Sequence, residues 1–190
     1  MISNQWPSAS LMAVRKLVRL GNPALRTPCE PVPEDRIKSA EVQQVITDMI
    51  DTLRSSSVGS GLAAPEIGVS WQIFVLESEL RGDPRPVRTV LNPLLEPHSG
   101  ELVYDWEGCL SIPDLVGLVP RHPSVRLWGR GRDGEPLDLE LSGLAGRVAQ
   151  HEYDHLHGIV FLDRMRDLRS LSFMAEWEAL VAGGERAAVG

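Results

Sequence analysis

Basic charge, cysteine, aromatic residues and long apolar runs are all scarce in this chain. Nineteen Lys and Arg stand against 26 Asp and Glu, for a net charge of −7. No basic stripe therefore offers a nucleic-acid surface as the main function. Local clusters remain at Arg121, Arg126, Arg130 and Arg132, and at Arg164, Arg166 and Arg169. Two cysteines, Cys29 and Cys109, cannot build a disulfide framework, and a reducing compartment is the simpler setting. No apolar run approaches the ~20 residues of a membrane span. Repeats and low-complexity segments are absent. Met1 to Leu11 lacks a signal-peptide core and is expected to be a disordered extension ahead of Met12. The lack of basic residues before Arg15 counts against an organellar presequence.

What is present suits one domain with a sizeable core: 190 residues, 43% of them hydrophobic. The expected domain spans residues 12–182, followed by a flexible tail over 183–190. Pro28, Pro31 and Pro33 keep the chain extended around Cys29, which reads as a bystander thiol. Val42, Val45, Ile46, Met49, Ile50 and Leu53 repeat at helical spacing, so Glu41 to Arg54 is expected to be an amphipathic helix capped by Ser39. Strands are expected at Trp71–Glu77, at Val87–Leu91 (closed by Asn92-Pro93) and at Glu101–Trp106. Gly82 to Pro86 reads as a turn. Val125 and Leu127, and then Leu137, Leu139 and Leu141, alternate with polar residues around a hairpin at Asp133-Gly134. A second helix is expected from a cap at Ser142 to a stop at Gly158, and a last one over Leu168–Val181 with Phe173, Trp177 and Leu180 on one face.

Chemistry concentrates in three stretches. In Gln150-His151-Glu152-Tyr153-Asp154-His155, the two histidines lie one turn apart on one helical face and can share a metal ion. Glu152 is placed beside them to take a proton from a metal-bound water. A third ligand is needed. Cys109, His98, His122 and a downstream acid are the candidates, whereas His157 points to another face. A downstream ligand would make the chain a zincin-type protease. The second stretch, Glu107-Gly108-Cys109-Leu110-Ser111-Ile112-Pro113, offers a thiolate, and sulfur with two imidazoles suits Fe(II) or Zn(II). Alone, a single cysteine reads as a small buried apolar residue. The third stretch runs Gly59-Ser60-Gly61-Leu62-Ala63-Ala64-Pro65-Glu66. No Gly-Lys-Ser/Thr follows it, so it is not a phosphate loop.

Together and in their order along the chain, the three stretches resemble the motifs of the peptide deformylase family over about Val14 to Met165. The resemblance implies an α+β fold of antiparallel β-sheets packed around a central metal-binding helix, with an N-terminal and a C-terminal helix. It implies removal of the N-formyl group from the methionine of newly made polypeptides, with release of formate. By the same carry-over, Cys109, His151 and His155 bind the metal and Glu152 is the acid–base. Fe(2+) is the implied ion, with Zn(2+), Ni(2+) or Co(2+) as alternatives. The Leu110 N–H would stabilise the oxyanion. Gly59, Ser60, Gly61, Glu107 and Val148 are the expected substrate contacts. Asp154 is expected to be structural, with Arg121 as its partner. The implied partners are formylmethionyl nascent chains and, transiently, the ribosome, in a bacterial cytoplasm and without membrane or direct nucleic-acid binding.

The chain departs from the family at Glu66, where the motif ends in Gln. A carboxylate lacks the amide donor expected beside the oxyanion. The substitution keeps two other readings open: a metal amidase for another small N-acyl substrate, and a homologue that only binds.

Overall fold

The computed structural model describes residues 14–56, 59–77, 87–98 and 100–182. The expected N-terminal extension, the turn at 82–86 and the C-terminal tail lie outside these residues. Two antiparallel sheets form the frame. The first contains β1 (Gly61–Ala63), β2 (Ile73–Glu77), β3 (Val87–Pro97), β6 (Ser124–Arg130) and β7 (Pro136–Ser142), in the order β1-β2-β3-β6-β7. The second contains β4 (Val103–Cys109), β5 (Ile112–Arg121) and β8 (Ser172–Phe173), in the order β4-β5-β8.

Strand alternation decides what covers each face of the larger sheet. Leu62, Ile73, Val75 and Leu91 point to one side and pack with Val42, Ile46, Met49 and Leu53 of helix α1 (Ala40–Ser55). Ala63, Phe74, Leu76 and Val90 point to the other and pack with Ala149 and Leu156 of helix α2 (Gly143–Leu156). β2 is therefore buried on both faces, which its unbroken Ile-Phe-Val-Leu run requires. Beyond α2, a third cluster joins Ile112 and Val119 of β5 to Val160 and to Phe161 of the short helix α3 (Phe161–Arg164). The metal-motif helix thus lies between layers of sheet. No helix among the described residues is long and apolar enough to cross a membrane.

Three local expectations need correction. β3 does not stop at Asn92-Pro93: it continues to Pro97 through a register shift between Leu91 and Leu94. Asn92 sits at φ 48°, and its amide group bonds both the N–H and the carbonyl of Val32, which stabilises the irregularity. Ser142 precedes α2, but its side chain makes no cap hydrogen bond. The last helix, α4, begins only at Met174, because Ser172 and Phe173 pair with β5 instead. Phe173 is accordingly a strand residue, 65% exposed. Gly158 closes α2 at φ +73°, and a Cβ there would lie 2.7 Å from the Arg26 carbonyl. Only glycine fits that turn.

Candidate active site

Cys109 ends β4, and Leu110 and Ser111 form the two-residue tip before β5, with Cys109 opposite Ile112. This hairpin tip brings the thiol against α2. Cys109 Sγ lies 3.3 Å from His155 Nε2. Ligand atoms of Cys109, His151 and His155 all fall within 4.8 Å of one another. The other ligand candidates stay apart: His98 bonds Glu140 at the surface, and His122 meets Gln150 through its backbone.

The two histidines differ in support. His151 Nδ1 stands 2.9 Å from Glu107 Oε2, and since a carboxylate only accepts, the ring nitrogen donates and leaves Nε2 for a ligand. Phe161 stacks on the same ring. Arg121 grips Glu107 with two bonds of 2.9 and 3.0 Å, and Arg147 adds a third of 2.8 Å. Arg121 also bonds Asp154, which in turn holds Arg164 through both carboxylate oxygens. Asp154 and Arg121 therefore meet directly. Glu107 lines the cleft, but its carboxylate is committed to Arg121, Arg147 and His151. These bonds hold the Glu107 carboxyl down at about 2 against the burial that would raise it. Within this network, sequence reading missed Arg147. Its only signal was a charge inside the small-residue turn that leads into the histidine motif.

Acidic groups on the cleft side are less satisfied. Glu66 sits in the tight turn after β1, 2% exposed. Its Oε2 accepts from the Ala63 N–H at 3.0 Å and its Oε1 from the Ser111 hydroxyl at 3.1 Å. Burial, then the Glu66 and Glu107 carboxylates, push the Glu152 pKa well above the usual range, and Glu152 Oε2 has no partner among the described residues. Burial, then Glu66, raise the Cys109 thiol as well, and burial lowers His155 to about 4. A neutral imidazole is what a metal ligand requires, and a cation among Cys109, His151 and His155 would reverse the pressure on the thiol and the carboxyls. The donor set fits a divalent ion.

The surrounding cleft measures about 580 Å³ and is lined by Gly59, Ser60, Gly61, Leu110, Val148 and Met174 among others. β1 is an edge strand of the larger sheet. Ser60 accepts from Glu77 across the β1–β2 pair, while the Ala63 N–H turns the other way to Glu66. By strand parity, Gly61 presents its N–H and carbonyl to the cleft. A Cβ on Gly61 would stand 2.5 Å from Glu152 Oε1 and 2.7 Å from Val148 Cγ1. The glycine therefore lets the edge lie directly against α2.

A segment preceding the first helix ties this site together. Val18 N–H bonds the Glu66 carbonyl at 2.8 Å and Leu20 N–H bonds the Ser111 carbonyl at 3.0 Å. Arg19 donates to the Leu110 carbonyl at 2.6 Å. No sequence signal pointed to Arg19, because its partner is distant in the chain.

The polypeptide deformylase family model matches residues 14–170. A peptide deformylase of Bordetella bronchiseptica is 40% identical over 166 residues, covering 84% of this chain and 92% of that protein. One from Nitrosomonas europaea is 38% identical over 167 residues with the same coverage, 84% and 92%. Among solved structures, the Synechococcus elongatus peptide deformylase in complex with actinonin has a TM-score of 0.74 at 34% identity, covering 98% of this chain and 96% of that one. The Met-Ala-Ser-bound enzyme of Acinetobacter baumannii has a TM-score of 0.75 at 29% identity, covering 82% of this chain and 100% of that one.

Proposed function

Because the chain belongs to the polypeptide deformylase family, we propose that Cys109, His151 and His155 hold its metal ion and that Glu152 carries the proton in the reaction. The enzyme hydrolyses the N-formyl group from the N-terminal methionine of newly made polypeptides, releasing formate. Its relatives do not favour another N-acyl substrate or a purely binding role. One observation carries the residue assignment: the ligand atoms of one cysteine and two histidines converge within 4.8 Å. Glu152 adjoins His151 in sequence and lines the same cleft.

A bound divalent ion supplies Lewis acidity and makes water nucleophilic at neutral pH. Glu152, buried beside His151 in the same cleft, takes a proton from the attacking water and returns it to the leaving nitrogen as the formamide C–N bond breaks. The Leu110 N–H, at the hairpin tip beside Cys109, donates to the carbonyl oxygen as it gains charge. Gly61 pairs with the main chain of the peptide by strand addition, and Ser60 and Gly59 extend that edge. Val148 lines the side where the methionine packs.

A soft thiolate beside two imidazoles supports Fe(2+), with Zn(2+), Ni(2+) or Co(2+) as substitutes. The nascent-chain substrate supports a bacterial cytoplasmic setting with transient ribosome association. Turnover of formyl-Met-Ala-Ser by the anaerobic Fe(II)-loaded enzyme tests this reading. Formate release that disappears in Cys109→Ser together with the bound metal is the expected result. A fully metallated protein that releases no formate refutes it.

A further inference from the structure

Several surface arginines of this chain are neutralised by a neighbour: Arg26 pairs with Asp163, Arg36 with Glu41, Arg126 with Asp138 and Arg130 with Glu34. Arg19 is exposed and lines the cleft, yet no carboxylate among the described residues pairs with it. We propose that Arg19 sets a substrate preference by binding a carboxylate carried by the second or third residue of the peptide, an inference that rests on the deformylase reading and the strand addition at Gly61 proposed above.

The two ends of β1 give the direction of the peptide. A Cβ on Gly61 would meet Glu152 Oε1, so the formyl end lies beside Gly61. Beyond it, Leu62 and Ala63 are fully buried, and the Ala63 N–H is already bonded to Glu66. The rest of the peptide must leave toward Gly59, antiparallel to β1. At about 3.4 Å per residue, its second and third residues pass Ser60 and Gly59. A Cβ on Gly59 would stand 2.9 Å from the Leu110 side chain, and the Leu110 carbonyl holds Arg19. Arg19 thus stands at the exit that those two residues take.

Anchoring and charge give the second support. Backbone bonds from Val18 and Leu20 fix the strap on either side of Arg19, and Arg19 Nη1 donates to the Leu110 carbonyl at 2.6 Å. Ordering a long side chain is what usually weakens a surface ion pair, and here the side chain is ordered before the substrate arrives. Its Nε and Nη2 make no bond among the described residues. That free edge of the guanidinium is a fork that matches both oxygens of a carboxylate. Asp114, the other exposed charge of the lining, makes no ion pair with it. A carboxylate of the peptide is the partner the fork lacks; an amide offers one acceptor and no charge.

Steady-state turnover of formyl-Met-Ala-Asp amide and formyl-Met-Asp-Ala amide by the metal-loaded full-length enzyme, each against its Asn counterpart, tests this. At low salt, at least one Asp peptide is expected to have a kcat/KM about fivefold higher, through a lower KM. Raised salt should shrink that ratio, because exposed charges are screened. Arg19→Lys should retain part of the preference, and Arg19→Gln should bring the Asp and Asn peptides to the same value. If Arg19 only steadies the Leu110 carbonyl, Arg19→Gln lowers kcat for both peptides alike and leaves their ratio unchanged, which overturns the proposal. A wild-type enzyme that distinguishes neither pair overturns it without any variant. So does a preference confined to the free acid of formyl-Met-Ala-Ser over its amide, since a nascent chain presents no free carboxyl end there. If no formylated peptide is turned over, the deformylase reading itself is wrong, which is a distinct failure.

Discussion

His151 and His155 lie one turn apart on the same helix, yet different forces place them. The His151 ring is hydrogen-bonded to Glu107, and that carboxylate is braced by Arg121 and Arg147. His155 is fully buried, and its Nδ1 has no hydrogen-bond partner among the described residues. Packing orients it, with the Cys109 thiol beside its Nε2. The same contrast divides the whole site. Behind the helix, Glu107 and Asp154 are balanced by Arg121, Arg147 and Arg164. In front of it, Glu66, Glu152 and the Cys109 thiol crowd together, and a divalent ion is the charge that reconciles them. Support is neutralised and the reactive side is not, so the two should fail differently when altered.

The largest expected effect lies on the reactive side. Glu152→Gln should lower kcat by about 10²–10⁴ while metal content, measured by atomic emission, stays at the wild-type level. Metal loss in proportion to activity would instead assign Glu152 to support. Gly61→Ala presses a methyl onto Glu152 and Val148. Misplacing the base in this way should cost about 10² in kcat/KM, with the melting temperature nearly unchanged. A drop in Tm without a drop in rate would move Gly61 from reaction geometry to packing.

Glu107→Gln probes the supporting side. It leaves Arg121 and Arg147 short of a buried counter-charge, and urea titration should show a loss of about 3–5 kcal/mol. Metal affinity should fall about 10–100-fold as the His151 ring loses its anchor. Unchanged affinity in a destabilised protein would show that packing against Phe161 suffices for His151, as packing does for His155.

The smallest effect separates the two thiols. Burial, helped by Glu30, pushes Cys29 up to about 11 from 9.0. A folded-state value above the unfolded one means that the fold favours the protonated thiol. Its stabilising contribution is complete below about pH 9 and is lost as pH rises through about 11. Melting curves of wild type and Cys29→Ala across that window should converge toward the upper end. Parallel curves would remove the titration of Cys29 from the account.

Much of this was legible in the sequence because it is local. The histidine spacing, the apolar stripe of α1 and the alternation of β6 and β7 all follow from the period of one element. β5 was not legible. Pro113, Gly117 and Pro120 argue against a strand, and pairing with both β4 and β8 overrides them. The late start of α4 has the same origin. Leu168–Val181 has a helical pattern, but the free side of β5 recruits Ser172 and Phe173 first. The Arg121–Asp154 pair was expected from the family resemblance, but the bracing of His151 through Glu107 and Arg147 was hidden for a different reason. Arg121, Glu107, Arg147 and Asp154 come from three elements, and no single stretch records that they meet.

The short strap at Leu17–Leu20 has a consequence for how the protein comes into being. Arg19 and Leu110 are 91 positions apart, and Cys109 must still await His155, another 46 positions on. The strap is among the earliest parts of this site to be synthesised, but its partners in the hairpin tip come much later. Such distant contacts form slowly, after their loop-closure entropy has been overcome. The catalytic cleft is therefore expected to be a late product of folding. A chain truncated between Cys109 and α2 would carry the strap and the cysteine without His151 and His155 to close around.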